Sequence, residues 1–409
     1  MGVPLSKPVL TRIQERYGND VFRCGSCCVN GYRESMEDAH LVYLQPNWGF
    51  FGVFDGHVND ECSTYLENAW RAVMEREKDN IPLSDDRLRE ITLQIDQEWM
   101  NSGREGGSTG TFFIGIKEGN AIHLQVGNVG DSRVVACING VCNPLTEDHK
   151  PNNETERQRI EECGGRVENN RVDSCLAVSR AFGDRDYKTN SAGQLKQKVI
   201  ALADVTHADV TYNSDDFVIL CCDGVFEGEF TNEDVICFIK DQLRTTNDLC
   251  EVAARVCEEA IERGSRDNIS CVIVQFKNGQ DYNKDPHHTI VPGPFSVPRQ
   301  ANFRKAYENM AEKGMTTVGA LLEKRYDAIR GMTNPPTELE EELSVFGEGP
   351  PLNLMGAART EWFCNLYQHL CETYNSSPQS DMDRIQFIQQ QVGVPLTTLL
   401  SMMGDASIP

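Results

Sequence analysis

The chain has no run approaching the roughly 18 consecutive apolar residues that a membrane-spanning helix needs. It also lacks an n-region, apolar core and cleavage site, so no secretory signal is expected ahead of the first folded segment. Basic charge is scarce. Against 62 Asp and Glu stand 39 Lys and Arg, a formal net charge of -23. Binding nucleic acid through its phosphates needs a local basic stripe, and none is visible, so nucleic acid is not an expected partner. There is no contiguous D-x-D-x-D-G loop, which argues against a common calcium-binding structural protein. Internal repeats and low-complexity tracts are lacking too. The acidity favours solubility on its bland reading; on the sharper one, some carboxylates converge on cations.

Cysteine, by contrast, is plentiful at 16 residues. Most lie inside apolar strand or helix patterns, as Cys221 and Cys222 do, in a chain large enough to need no staples. Reduced thiols used as small hydrophobes in a cytoplasmic protein are the expectation. Cys24-Gly25-Ser26-Cys27 matches a C-x-x-C pair in form but lacks a βαβ context or a second pair for zinc. Met1-Gly2-Val3-Pro4-Leu5-Ser6 fits the N-myristoylation pattern, with Lys7 just beyond. One such lipid gives weak, reversible membrane association through Gly2.

Residues 1–20 read as an N-terminal arm, and strand and helix signals then alternate over 21–277 without a break. Gly49 to Phe54 is too apolar to face water on either side, as is Phe217 to Cys222. Thr111 to Lys117 and Ile122 to Val126 are strands joined through Gly119-Asn120. Val134 to Ile138 runs into Asn139-Gly140, the strongest short hairpin signal, then Val141-Cys142. Leu88, Ile91, Ile95 and Trp99 share one helical face, as do Val235, Ile239 and Leu243. Asp248 with Glu251 reads as a capping box, and Gly264 as the matching stop. Hairpin-joined strands must pair antiparallel and helices must cover the sheet faces, which predicts an α+β sandwich of antiparallel sheets flanked by helices. Residues 278–300, with paired histidines and Pro292-Gly293-Pro294, read as a linker. Residues 301–409 follow as a C-terminal helical extension. Helices are expected over Phe303 to Arg330, Arg359 to Tyr374 and Met382 to Gln391.

Two buried strands end alike, in Asp55-Gly56 and in Asp223-Gly224. A strand that emerges at an aspartate puts a carboxylate at the sheet's rim. The glycine that follows lets the backbone turn sharply and bring its carbonyl to the same ion. His57 adjoins the first pair. Arg33-Glu34-Ser35-Met36-Glu37-Asp38 sets a guanidinium and carboxylates beside a strand, and a planar fork suits phosphoryl oxygens. Gly130-Asp131-Ser132-Arg133 and Ser265-Arg266-Asp267-Asn268 are acidic turns against strands. Each alone is more often a turn or a surface ion pair.

In this order, the set resembles the metal-dependent type 2C protein phosphatase family. The resemblance rests on Arg33-x-x-Met36-Glu37-Asp38, Phe54-Asp55-Gly56-His57, Gly107-Ser108-Thr109-Gly110 and Val129-Gly130-Asp131-Ser132-Arg133. It continues through Leu145-Thr146-x-Asp148-His149-Lys150-Pro151, Glu162-x-Gly164-Gly165 and Leu176 to Asp184. Cys222-Asp223-Gly224-Val225-Phe226 and Ser265 to Ser270 complete it, over about Val21 to Phe276. It implies a four-layer αββα sandwich and a Mg²⁺- or Mn²⁺-dependent serine/threonine phosphatase acting on phosphoproteins; a monomer is expected. Two ions would be held tightly and a third more loosely. Asp55 would bridge the tight pair, the Gly56 carbonyl would bind one of them, and Asp223 and Asp267 would complete the ligands. Glu37 and Asp38 would hold waters around the ions, and Asp131 matches the looser position. Arg33 would grip the phosphate and His57 would protonate the leaving alkoxide, worth about 10²–10⁴ in rate. No cysteine nucleophile is needed.

This sequence departs from the family pattern at Asn59, commonly glycine, at Gly110, often alanine, and at Phe226-Glu227, commonly Trp-Asp near the third-metal zone. The alternative is a catalytically weak phosphatase-fold scaffold. Arg185, Lys188, Lys196 and Lys198 fall in the segment that aligns with the family's variable flap, and could steer acidic phosphopeptides by charge.

Overall fold

The computed structural model describes residues 4–283, 287–296, 301–332, 336 and 339–375, and these divide into two compact units, 1–291 and 292–409. In the first unit, seven strands form one antiparallel sheet. They are β1 (Val9–Gly18), β2 (Arg23–Gly31), β9 (Arg133–Ile138), β10 (Val141–Pro144), β15 (Phe217–Cys221), β16 (Ile269–Gln275) and β17 (His288–Val291). Their order is β10-β9-β15-β16-β2-β1-β17. The second sheet holds β3 (Ala39–Leu44), β4 (Trp48–Phe54), β7 (Gly110–Glu118), β8 (Ala121–Val129) and β14 (Asp204–Thr211), ordered β14-β8-β7-β4-β3. Short strands β5 (Gly56–His57), β6 (Gly107–Ser108) and β13 (Phe182–Gly183) make a third, and β11 (Val167–Glu168) pairs with β12 (Arg171–Val172).

The layering follows from which side chains alternate onto which face. Phe51 and Val53 of β4 point between the sheets, where they join Phe113, Leu124, Val134, Val218, Leu220 and Val272. Phe50 and Phe54 point the other way, onto Leu66 and Trp70 of α1 (Glu61–Glu77) and Ile91 and Trp99 of α2 (Asp85–Ser102). The outer face of the seven-stranded sheet packs Ile219, Cys221 and Ile273 against α4 (Asn232–Gln242) and α5 (Leu249–Glu262). The result is the expected αββα sandwich. Its central strands are buried on both faces, which is why they read as continuous apolar runs. A further helix, α3 (Glu154–Glu162), leads into the β11–β12 ribbon.

Local signals hold where they are strongest. Asn139 and Gly140 both take positive φ, 52° and 79°, in the two-residue turn between β9 and β10. Ser84 caps α2 through the Arg87 N–H, and Gly103 ends it at φ 76°. The capping box belongs to Thr231 and Asp234 at α4, not to Asp248 and Glu251. Asp248 accepts from the Cys250 N–H, while Glu251 is engaged by Thr246 and Arg255. Cys24 and Cys27 lie buried in β2 with free thiols.

Two segment boundaries move. Within the expected arm, Val9–Gly18 is a strand, paired with β2. Within the expected linker, His288–Val291 is a strand that pairs with β1 from Arg12↔Val291 to Glu15↔His288. Both carry polar residues because they sit at the sheet's margin, so no apolar run announces them. In the second unit, the single helix expected over Phe303 to Arg330 is two, α6 (Ala301–Lys313) and α7 (Val318–Arg330), parted at Met315, whose φ is 52°. α8 (Glu340–Phe346) and α9 (Ala357–Asn375) follow. Arg359 of α9 bonds Glu323 and Asp327 of α7, and Phe363 is fully buried beside Tyr326 and Phe346. The helix expected over Met382 to Gln391 lies outside the described residues.

Candidate active site and metal centre

β4 leaves the core at Asp55, and Thr109 clasps that residue's backbone from both directions. The Thr109 N–H donates to the Asp55 carbonyl at 2.9 Å, and its Oγ1 accepts from the Asp55 N–H at 3.2 Å. A Cβ on Gly56 would stand 2.4 Å from the Glu37 carbonyl oxygen; one on Gly224 would stand 2.1 Å from that of Asn268. Neither glycine has a positive φ. The glycine after each aspartate therefore admits a neighbouring backbone, which corrects the expectation that it serves a sharp turn.

Those close approaches draw the other acids in. Asn268 fastens the 33–38 segment to the turn before β16. Its Oδ1 accepts from the Glu37 N–H at 2.8 Å, and its Nδ2 donates to the carbonyls of Asn30 (2.8 Å) and Ser35 (2.9 Å). Asp38 is buried and accepts from Ser270 Oγ at 2.7 Å, while Glu37 accepts from Ser35 Oγ at 2.9 Å. Donor atoms of Asp38, Asp55 and Cys222 lie within 4.8 Å of one another. Asp223 and Asp267 stand outside that trio but act on Asp55 through their charge.

Burial, followed by the charges of Asp38, Asp223, Asp267 and Asp131, pushes Asp55 well above the usual carboxylate range. Burial, Asp131 and Asp267 push Asp223 the same way, with Lys150 pulling against them. Asp267 is raised by burial against the opposing Arg33, and Glu37 is raised chiefly by burial. Carboxylates crowded like this cannot all ionise at neutral pH unless a cation lies among them. An all-oxygen set, offered at a partly open rim, fits a hard dication such as Mg²⁺ or Mn²⁺. Burial and the adjacent carboxylates keep Cys222 a thiol, so it is not a competing soft ligand.

Arg33 donates through one terminal nitrogen to Asp267 Oδ2 at 2.5 Å and is about one third exposed. Asp131 is buried and ion-paired with Lys150. Its turn is held by Thr109 Oγ1 on Ser132 Oγ (2.8 Å) and by the Gly130 N–H on His149 Nδ1 (3.0 Å). His57 Nε2 lies 2.8 Å from both carboxylate oxygens of Asp184. Burial pulls the His57 imidazolium down, yet the Asp184 charge and hydrogen bond outweigh it and leave the pKa raised. Asp184, Asn268 and Lys150 all stand in the quoted motifs, but nothing local assigns them a task. Only long-range contacts do.

The departures now have surroundings. Asn59 Oδ1 accepts from the Glu61 N–H at 3.0 Å, and the residue before it, Val58, takes φ 76° with its side chain in water. That conformation is costly for a β-branched residue. Glu227 Oε2 accepts from the Arg266 N–H at 3.0 Å, so it holds the Asp267 turn as well as adding charge near Asp223. Of the four flap cations, Lys188 is buried against Asp96 at 2.7 Å and Lys198 pairs with Asp173 at 2.8 Å. Arg185 and Lys196 are exposed and in no ion pair among the described residues. The Cys-x₅-Arg spacing occurs at Cys27 with Arg33 and at Cys257 with Arg263, but both thiols are sealed in the core. Neither can meet a substrate.

A family model described as Protein phosphatase 2C matches residues 22–269. Protein phosphatase 1B of Mus musculus is 32% identical over 343 residues, covering 78% of this chain and 84% of that protein. Protein phosphatase 1A of Homo sapiens is 31% identical over 330 residues, covering 76% and 83%. Among solved structures, a phosphatase from Toxoplasma gondii matches with a TM-score of 0.60 at 28% identity, over 69% of this chain and 99% of that one. The family match alone spans more than half of the sequence. The chain belongs to the protein phosphatase 2C family of metal-dependent serine/threonine phosphatases.

Proposed function

We propose that the chain hydrolyses phosphoserine and phosphothreonine in proteins, using two tightly held Mg²⁺ or Mn²⁺ ions and a looser third. The observation behind this is the cluster of buried Asp38 with half-buried Asp55, Asp223 and Asp267, whose mutual repulsion a dication relieves. Asp55, the Gly56 carbonyl, Asp223 and Asp267 would hold the tight ions, Glu37 and Asp38 the waters around them, and Asp131 the third. When bound, the ions supply Lewis-acid charge to the phosphoryl group and acidify an attacking water. Arg33 spends one nitrogen on Asp267, which aims its fork while other N–H groups can meet phosphoryl oxygens. Asp184 holds His57 in its protonated form through Nε2. The proton on Nδ1 is then the one to pass to the serine or threonine oxygen as the ester bond breaks.

Hydrolysis of para-nitrophenyl phosphate and of a phosphopeptide, with Mn²⁺, with Mg²⁺ or with a chelator, tests the proposal. Turnover with either cation and none with the chelator is expected. Equal turnover in the chelator would sink it. The start Met1-Gly2-Val3-Pro4-Leu5-Ser6 supports a second proposal, a cytoplasmic enzyme partly drawn to membranes by myristate on Gly2. Residues 1–3 lie outside the described ones, so the intact mass of protein from its own cells is the measurement. An unmodified N-terminus rejects this.

A further inference from the structure

β9, β15 and β16 each have one end beside the acidic cluster, at Arg133, Cys221 and Ile269. Their other ends, with Cys137, Phe217 and Gln275, line a cavity of about 610 Å³ beneath the link between α4 and α5. The volume suits a small molecule and is far beyond one water. Phe217, Leu243 and Cys137 supply apolar surface.

Gln275 is only 5% exposed and lies on the helix-facing side of β16, the side of Ile273 and Cys271. It lines the cavity, and its side-chain amide has no hydrogen-bond partner among the described residues. Its polar atoms are not among the buried unpaired ones, so the amide fronts the open space. Lys277, half-buried two residues on, has no hydrogen bond or ion pair among the described residues. Burial and the nearby Arg23 lower its pKa, against weaker pulls from Asp215 and Asp281. Lys240, on the same cavity, donates to the Gly140 carbonyl at 2.8 Å and has further donors. Arg244 is paired with Asp241. Of the acids lining the cavity, Asp216 is committed to the N–H groups of Asn139 (2.7 Å) and Thr211 (3.2 Å), and Asp215 is exposed. In a chain of net charge -23, the half-buried charged group here that lacks a partner is a cation.

We propose that this cavity binds a small organic anion, an apolar body bearing one carboxylate or phosphate. Its charge lies on Lys277 and Lys240, its body on Phe217 and Leu243, and a polar edge meets Gln275. A neutral ligand would leave the Lys277 ammonium as it is, and a macromolecule would not enter a concavity of this size.

Calorimetry with 2-naphthoate, 2-naphthylphosphonate and neutral 2-naphthylmethanol tests this on the full chain. At least one anion should bind about tenfold or more tightly than the alcohol. Lys277→Gln should abolish that preference, and Arg33→Ala, in the phosphatase cleft, should keep it. No binding of either anion overturns the site, as does a preference that survives Lys277→Gln or vanishes in Arg33→Ala. Amine acetylation gives an answer without a variant. The bound anion should protect Lys277 while exposed Lys196 labels unchanged, and equal labelling of Lys277 with and without it rejects the proposal.

Discussion

Glu15 and Asp55 are both carboxylates largely withdrawn from water within one sandwich, Glu15 on β1 and Asp55 at the end of β4. Around Glu15 the chain has gathered donors: His40 Nε2 at 2.8 Å, His288 Nδ1 at 2.9 Å and Tyr17 Oη at 2.5 Å. Burial raises its pKa, but those partners more than reverse that and hold it below the usual carboxylate range. Around Asp55 the chain has gathered Asp38, Asp223, Asp267 and Asp131, which add to burial and drive its pKa up. One carboxylate is neutralised from within. The other is left for something the polypeptide does not supply. That difference separates a structural acid from a metal site more clearly than burial does.

The sharpest way to break the contrast is to remove charge from the metal-seeking side. Asp55→Asn should lower kcat by about a thousandfold, the upper end for one preorganised electrostatic contact, with little rescue by excess Mn²⁺. Asp223→Asn should cost less, about a hundredfold, because Lys150 already offsets part of that residue's field. Calorimetric counts of bound Mn²⁺ should fall in the same order. Equal damage, or a fully active Asp55→Asn, would reject a special place for Asp55.

Asp184 belongs to the neutralised kind, since His57 partners it. Asp184→Asn should slow phosphopeptide hydrolysis by about 10²-fold, the low end for general acid catalysis. Para-nitrophenyl phosphate, whose phenolate leaves without a proton, should be nearly unaffected. Equal losses on both substrates would make the His57–Asp184 pair structural. Smaller again is Asp131→Ala, about tenfold in kcat with the two tight ions retained, since Lys150 already neutralises this residue. Loss of a tight ion in that variant would move Asp131 into the inner set.

How much of this was legible before the structure depends on whether a signal was local. Gly49 to Phe54 and Phe217 to Cys222 declared themselves as strands because both faces are buried, and Asn139-Gly140 fixed its hairpin by backbone preference. β1 and β17 were missed because their pairing spans some 270 residues and polar residues interrupt their few apolar ones without a period of two. Every proposed metal ligand could be named from its place in an ordered motif set. Asn268, Asp184 and Lys150 could not be given tasks, because an amide, an acid or an amine acquires one only from what stands opposite. The flap shows the reverse error: Lys188 and Lys198 look like free charges in sequence and are paired in space.

The smallest expected effect lies on the self-neutralised side and is one of stability rather than turnover. Glu15 joins β1 of the seven-stranded sheet to His40 on β3 of the other. The folded pKa of Glu15 lies below its ordinary value of 4.5, so its contribution is present above that pH and is lost as pH falls toward the folded value. Burial lowers the pKa of His40, but Glu15 more than restores it, so the folded value lies above 6.5. The contribution of His40 is therefore present below 6.5 and is lost as pH rises through the raised value. Only between about 4.5 and 6.5 are both present in full. Glu15→Gln should then cost most stability near pH ~5.5 and less at alkaline pH, once the pH has risen through the raised His40 value. Urea unfolding at the two pH values, with chelator in every sample, measures the gap without any contribution from bound metal. A gap that is the same at both would show that Glu15 and His40 are not coupled, and the contrast with Asp55 would then rest on His288 and Tyr17.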